Sequence, residues 1–322
     1  MTQAKGCNVQ LIFCEETTWG TTPASPICRV LPFTREGLAT DVDTFSSARI
    51  KVDDRVVTDI KRGNKNIGGP VDFELDLSFH RLFKHVLGEA STTGSGPYTH
   101  VIKGGSALTA GLSIEKGFTD MAKYLVYRGM RVDTLSLKFS EDGYITGTFN
   151  FLGRYEGGGM GSGSGSGSSV SISTSPIDES KSPFTSYEAA VEEGGSTIGI
   201  VKEAKLEIRN NLQADGFVLG SGSRASAIEG LREVTGRLAI LFEDLTYYNK
   251  FINGTESSLK FTMTRGSYFV EILIPRIVYA GASPIIVEGP GPLRVTLPFK
   301  AKKDIVEGTD IKVTFVNNIA TV

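Results

Sequence analysis

Apolar side chains along this chain recur at two spacings, and the elements they predict come twice in the same order. Val71, Phe73, Leu75 and Leu77 alternate with Asp72, Glu74 and Asp76, which predicts a strand with one buried and one acidic, wet face. Phe79, Leu82, Phe83, Val86 and Leu87 then recur at helical spacing, and Gly88 is a natural stop. Strands follow over 112–114 and 124–127. Two alternating runs, 135–139 and 144–151, flank Ser140-Glu-Asp-Gly143, a hairpin signature. Later come a strand over 205–209, another over 236–242, a short helix over 245–251, strands over 259–263, 268–279 and 293–299, and a final strand over 311–316.

Leu38, Leu77, Phe79 and Phe83 return at one constant offset as Leu206, Leu245, Tyr247 and Phe251. Gly143, Ile145, Phe149 and Phe151 return at a shorter offset as Gly291, Leu293, Leu297 and Phe299, a longer loop at 89–111 absorbing the change. One fold is written twice. The boundaries drawn from this pattern are a first copy over 1–156, a linker or insertion over 157–196, and a second copy over 197–322. The linker contains the Gly/Ser tract 157–169, structure-poor by composition, with a short edge strand expected at 170–172.

The connections are uneven. Residues 1–35 read as irregular, with a strand start at 30–33. The single tryptophan, Trp19, is either a local anchor over a core edge or an anchor at a subunit contact, where aromatic residues are favoured. Residues 41–66 carry Arg49, Lys51, Asp53, Asp54, Arg55, Asp59, Lys61 and Arg62 with little apolar periodicity. So long and polar a segment is either a solvated loop or an arm ordered on contact with a neighbouring subunit. Its counterpart, 211–231, is shorter and rich in Gly and Ser.

Composition narrows the function. Hydrophobic content of 40%, charged content of 22% and a formal charge of −2 fit a globular chain and argue against a protein whose main task is gripping nucleic acid, while suiting a surface that DNA passes without sticking. No run reaches the about 18 apolar residues a membrane span needs. The start lacks the apolar stretch of a signal peptide, so synthesis in the cytoplasm is expected. Cys7, Cys14 and Cys28 are odd in number, widely spaced and far from any histidine, which argues against a metal site or a disulfide framework. His80 and His85 lack metalloprotease spacing and read as helix-surface residues. No nucleophile elbow, paired CxxC or phosphate loop occurs. Glu74, Asp76, Glu243 and Asp244 sit where carboxylates solvate a face. No enzyme, cofactor or metal is expected.

Glu16-Thr-Thr-Trp-Gly-Thr21, Leu31-Pro-Phe33, Gly68-Gly-Pro-Val71, Leu112-Ser-Ile-Glu115, the run 129–137, and in the second half 234–238 through 274–279, resemble the major tail tube proteins of long-tailed (siphovirus-type) bacteriophages. The likeness covers nearly the whole chain, apart from the Gly/Ser tract. It implies a mainly β fold of two tandem copies, each two packed antiparallel sheets closing towards a barrel, with one flanking helix. It also implies rings that stack into a tube guiding the tape-measure protein and viral DNA, with tail terminator and distal tail proteins at the ends. Such a protein belongs to the virion tail and is assembled in the host bacterial cytoplasm. Single-copy tube proteins form six-membered rings, so two copies per chain make a trimeric ring sufficient. Asp72, Glu74, Asp76 and Glu243 are then candidates to face the lumen, the charged residues of 41–66 to form an inter-ring arm, and Trp19 to mark a subunit contact. Two rivals share features: the tube protein of a contractile injection or secretion machine, usually single-copy, and a tandem β-sandwich adhesin or carbohydrate binder, which would want aromatic platforms or calcium loops.

Overall fold

Two sets of strands pair in one and the same order. The computed structural model describes residues 3–49, 56–157, 167–281 and 291–322. Its elements in the first half are β1 (Val9–Glu15), β2 (Arg29–Val30), β3 (Arg35–Glu36), β4 (Ala39–Ser46), β5 (Ile60–Glu74), α1 (His80–Leu87), β6 (Gly88–Thr93), β7 (Tyr98–Gly104), β8 (Leu112–Phe118), β9 (Lys123–Ser140), β10 (Thr146–Gly153) and β11 (Tyr155–Gly157). The second half continues with β12 (Ala189–Glu193), β13 (Ser196–Thr197), β14 (Val201–Arg209), β15 (Glu233–Leu241), α2 (Thr246–Asn253), β16 (Ser257–Arg265), β17 (Tyr268–Tyr279), β18 (Arg294–Ala301) and β19 (Lys312–Asn317). With 50% strand and 7% helix the protein is mainly β, as expected.

Antiparallel pairing gives the order β4–β5–β10–β9–β8–β1 in the first half. It gives β14–β15–β18–β17–β16–β12 in the second. Each helix follows the second strand of its set. The doubling seen in the spacing of apolar residues is thus a doubling of topology. The change of offset has a structural cause: a hairpin, β6–β7, is inserted after α1, inside the stretch that reads as a loop over 89–111.

β9 is long because it belongs to two layers. Its first part pairs with β8 and β11, and its second part with β10 on one side and β14 on the other. A register shift opposite Asn150 and Phe151 leaves Asp133 bulged, which lets the strand bend between the layers. β17 repeats the device. Its shift between Ser257 and Leu259 falls opposite Pro275, a residue that a regular ladder excludes and a bulge admits.

The core between the layers is continuous through both halves. Phe73 stacks on Phe79 at 4.4 Å and on Phe149 at 4.5 Å, and Phe83 meets Phe315 of β19 edge-on at 5.2 Å. Burying each such ring stabilises the fold by about 1.5–3 kcal/mol. α1 ends where the sequence places its stop. Gly88 has φ +97°, and a Cβ there would lie 2.2 Å from the Ala107 carbonyl oxygen.

Several expectations are corrected. Residues 1–35 are not wholly irregular, because β1 crosses the core with Leu11 to Cys14 all buried. Residues 170–172 form no strand; Ile172 is instead buried, its N–H donating to Glu115 Oε2 at 2.7 Å. The stretch 157–196 is more than a linker, since it holds buried Phe184 and supplies β12. His80 and His85 are buried, not on the helix surface. Residues 282–290, between the strands expected over 268–279 and 293–299, lie outside the described residues.

Candidate assembly surfaces

The described side chains of 39–49 and 56–66 bury little because the backbone, not a core, holds them. β4 and β5 pair from Ala39↔Gly68 out to Ser46↔Ile60, and the Ser47 N–H donates to the Asp59 carbonyl at 2.9 Å. The segment is therefore a projecting β-hairpin rather than a loop. Arg49, Asp59, Lys61 and Arg62 are exposed on it, Lys61 lying 3.5 Å from Asp59. Lys51, Asp53, Asp54 and Arg55 lie outside the described residues. Apolar residues accompany the charges: Phe45 is 61% exposed and Ile60 65%, with Val56 and Val57 also in the open. Phe45 lies over Gly63, where a side chain would strike its ring.

The root of the hairpin is held by its own counterpart in the second half. The Lys65 N–H donates to the Gly222 carbonyl at 2.8 Å. Arg224, buried, donates to the Ala214 carbonyl (2.7 Å), the Gly153 carbonyl (2.8 Å), the Ile67 carbonyl (3.3 Å) and Asn66 Oδ1 (2.8 Å). Its guanidinium also lies 5.0 Å from the Phe217 ring centre. Burial lowers its pKa from the ordinary arginine value. No spacing in the sequence marks Arg224, since its partners are three backbone carbonyls and one side-chain amide oxygen, most of them far away in the chain.

One broad sheet carries both halves. Its order is β4–β5–β10–β9–β14–β15–β18–β17, and the seam is β9 against β14, from Thr134↔Arg209 to Ser140↔Glu203. A second seam joins β7 to β19, from Tyr98↔Asn317 to Lys103↔Lys312. Near the first seam Asn210 Nδ2 donates to the carbonyls of Val86 (3.0 Å) and Val132 (2.9 Å), and bulged Asp133 accepts the Leu212 N–H at 2.7 Å. On the far side of the sheet β3 and β4 pair with β5 alone among the described residues.

The wet face of this sheet holds part of the expected acidic row. Asp72 and Glu74 point away from buried Val71 and Phe73; Asp72 accepts the Thr148 hydroxyl at 2.7 Å and lies 3.8 Å from Arg35. Asp76 leaves the row. β5 ends at Glu74, the chain turns inward towards α1, and Asp76 is buried, accepting N–H groups of Ser78 (2.6 Å) and Lys181 (3.1 Å). Burial pushes its pKa up against those hydrogen bonds. Glu243 is exposed, just beyond β15. Nor is the face uniformly acidic, because Lys138, Lys205, Arg237 and Lys300 share it. Arg237 pairs with Glu203 at 3.1 Å and Arg209 with Glu207 at 2.6 Å.

Trp19 is half-buried within the subunit. Its Nε1 donates to the Gly129 carbonyl at 2.9 Å, and Arg154 covers its ring at 5.2 Å.

A family model described as phage tail tube protein matches residues 6–301, from before β1 to the end of β18. The chain belongs to that family. A tail tube protein is a structural component of the bacteriophage virion tail, and the match spans both halves of the doubled fold. No curated protein matches the chain. No helix among the described residues is long and apolar enough to cross a membrane.

Proposed function

We propose that three of these tail tube chains close into a ring of pseudo-sixfold symmetry, and that rings stack into the conduit for genomic DNA. The observation that carries this reading is the β9–β14 seam. There, residues 134–140 of the first copy pair with 203–209 of the second. The equivalent bulged registers of β8–β9 and β16–β17 match Tyr127 with Ile274 and Met130 with Ile277, so the counterpart of 134–140 is 281–287; the offset of Leu38 to Leu206 makes the counterpart of 203–209 35–41. The second of these is the β3–β4 margin, which pairs with β5 on its inner side and has no strand on its outer side among the described residues. Pairing 281–287 of one chain with 35–41 of the next repeats the internal seam between chains, and three such steps close the circle without leaving an open edge. Residues 282–287 lie outside the described residues.

In this ring the wet sheet face lines the channel, with Asp72 and Glu74 on it. Carboxylates partner Arg35, Arg209 and Arg237, leaving those cations less free to hold passing phosphates. The hairpin 41–66 reaches the adjacent ring, where its exposed apolar residues are covered. The tape-measure protein occupies the lumen during assembly, and terminator and distal tail proteins cap the ends. Negative-stain images of the purified protein test the reading: stacked rings or short tubes are expected, and isolated particles at every concentration would contradict it.

A further inference from the structure

Cys14 and Cys28 oppose each other across the short ladder between β1 and β2. Ile12 pairs with Val30 and Phe13 with Arg29, so the next rung is Cys14 with Cys28. Both side chains are buried and both thiols are free. The backbone gives the type of rung. The Leu31 N–H donates to the Leu11 carbonyl at 2.9 Å, across the ladder. The Val30 N–H turns the other way, to the Ile177 carbonyl at 3.0 Å, and the Cys28 carbonyl accepts the Ile177 N–H at 2.9 Å. Hydrogen-bonded rungs therefore fall at Leu11 and Phe13, and the close, non-hydrogen-bonded rungs at Ile12 and Cys14. In such a rung the Cα atoms stand about 4.5 Å apart, within the span of a disulfide. The two side chains share one face, in a small apolar cluster with Ile12, Val126 and Ile172 that is separate from the main core.

We propose that Cys14 and Cys28 are a redox modification site, joined by a disulfide once the protein meets an oxidising medium outside the host. The timing rests on the chain's place in a virion; the thiol chemistry does not.

The oxidant is a small-molecule disulfide such as oxidised glutathione. Cys28, as thiolate, attacks one sulfur of it; that S–S bond breaks and the other half departs as a thiolate that takes up a proton. Cys14 then loses its proton to solvent and attacks Cys28 Sγ, expelling the second glutathione thiolate. Two protein thiols are oxidised and one glutathione disulfide is reduced to two thiols. The roles follow from the surroundings. Cys28 accepts the Cys14 hydrogen bond, which holds its pKa below the ordinary thiol value, with Ser173 and Arg29 assisting. Cys14 is held above it by donating that bond and by burial. Access is gated by the strap 171–177, pinned through Glu115 to Ser171 (2.6 Å) and Ile172 (2.7 Å), so oxidation is slow. Closure fastens the loop that carries Trp19 to the sheet.

The test uses the full-length protein in a Cys7→Ser background, incubated with oxidised glutathione or with dithiothreitol. Expected are an intact mass lower by two hydrogens, a Cys14–Cys28 linked peptide, and a melting temperature raised by roughly 4 °C over the reduced form. Cys14→Ser should trap glutathione on Cys28. Should that variant not fold, the linked peptide from the Cys7→Ser protein still decides. Two alkylatable thiols after prolonged oxidation would overturn the proposal. So would a link involving Cys7 in the unsubstituted protein, with Cys14 left free. A link that forms in protein that never makes tubes would count against the ring and leave the disulfide standing.

Discussion

His80 is wholly buried, and burial is what disfavours its charged ring. Its Nε2 lies 2.9 Å from the Thr321 carbonyl, and its Nδ1 lies 3.3 Å from the Leu77 carbonyl and 3.4 Å from the Asn317 amide. His100, stacked on it at 4.5 Å, meets Thr92 Oγ1 at 2.9 Å and Asn317 Oδ1 at 3.1 Å. Burial pushes the pKa of His80, and likewise that of His85, down to about 4. The unfolded chain, with histidine near 6.5, takes up protons first as pH falls. Stability is thus fully present above about pH 6.5 and is lost as pH falls towards about 4. Unfolding free energies from denaturant titrations at pH 7 and pH 5 should differ by about 1–2 kcal/mol per histidine, and His80→Gln should remove its share; equal free energies would contradict this. The sequence hid these residues because α1 is covered on nearly every side by β7, β9, β19 and the chain's end, whereas helical spacing marks one buried face. Arg224 was hidden for a related reason, being defined by carbonyls it meets only in the folded chain. Arg224→Ala should cost about 2–4 kcal/mol in thermal or denaturant unfolding, as the loss of a buried, multiply bonded cation does. An unchanged midpoint would show that the arm's root does not depend on it.

Strands with one buried face and one wet face were legible from spacing: β5 beyond Val71, the second part of β9, β10, β14, β15 and β17 all follow it. Those that escaped lack that contrast. β1 is buried on successive residues, so it shows no alternation. The hairpin β4–β5 beyond Asp41 has hardly any buried side chains and reads as loop, because backbone pairing leaves no mark on composition. β6–β7 is Ser/Thr-rich and takes its partner, β19, from the opposite end of the chain. Within the acidic row, Asp72 and Glu74 keep the parity of the strand and Asp76 does not, because period-2 reasoning carries no sign of where a strand ends. The arm makes its own prediction. Replacing 47–59 with an Asn-Gly turn keeps the Ser46↔Ile60 rung. The variant should give folded subunits with unchanged far-ultraviolet circular dichroism that form no tubes by electron microscopy; normal tubes would remove the arm from the account.

At the scale of the molecule, doubling is what the sequence revealed most directly, and the boundaries are what it blurred. The second set of strands opens with β12, inside a stretch whose Gly and Ser content suggested a spacer. The two seams, β9 with β14 and β7 with β19, make one body of the halves, so the chain offers neighbours a single broad sheet with two outer margins. A reconstruction of the assembled tube by electron cryomicroscopy, refined without imposed symmetry, tests the central claim most directly. Three chains per ring are expected, with 281–287 of each chain paired to 35–41 of the next in the register of the internal seam. Six chains per ring, or margins that meet nothing around the ring, would contradict it.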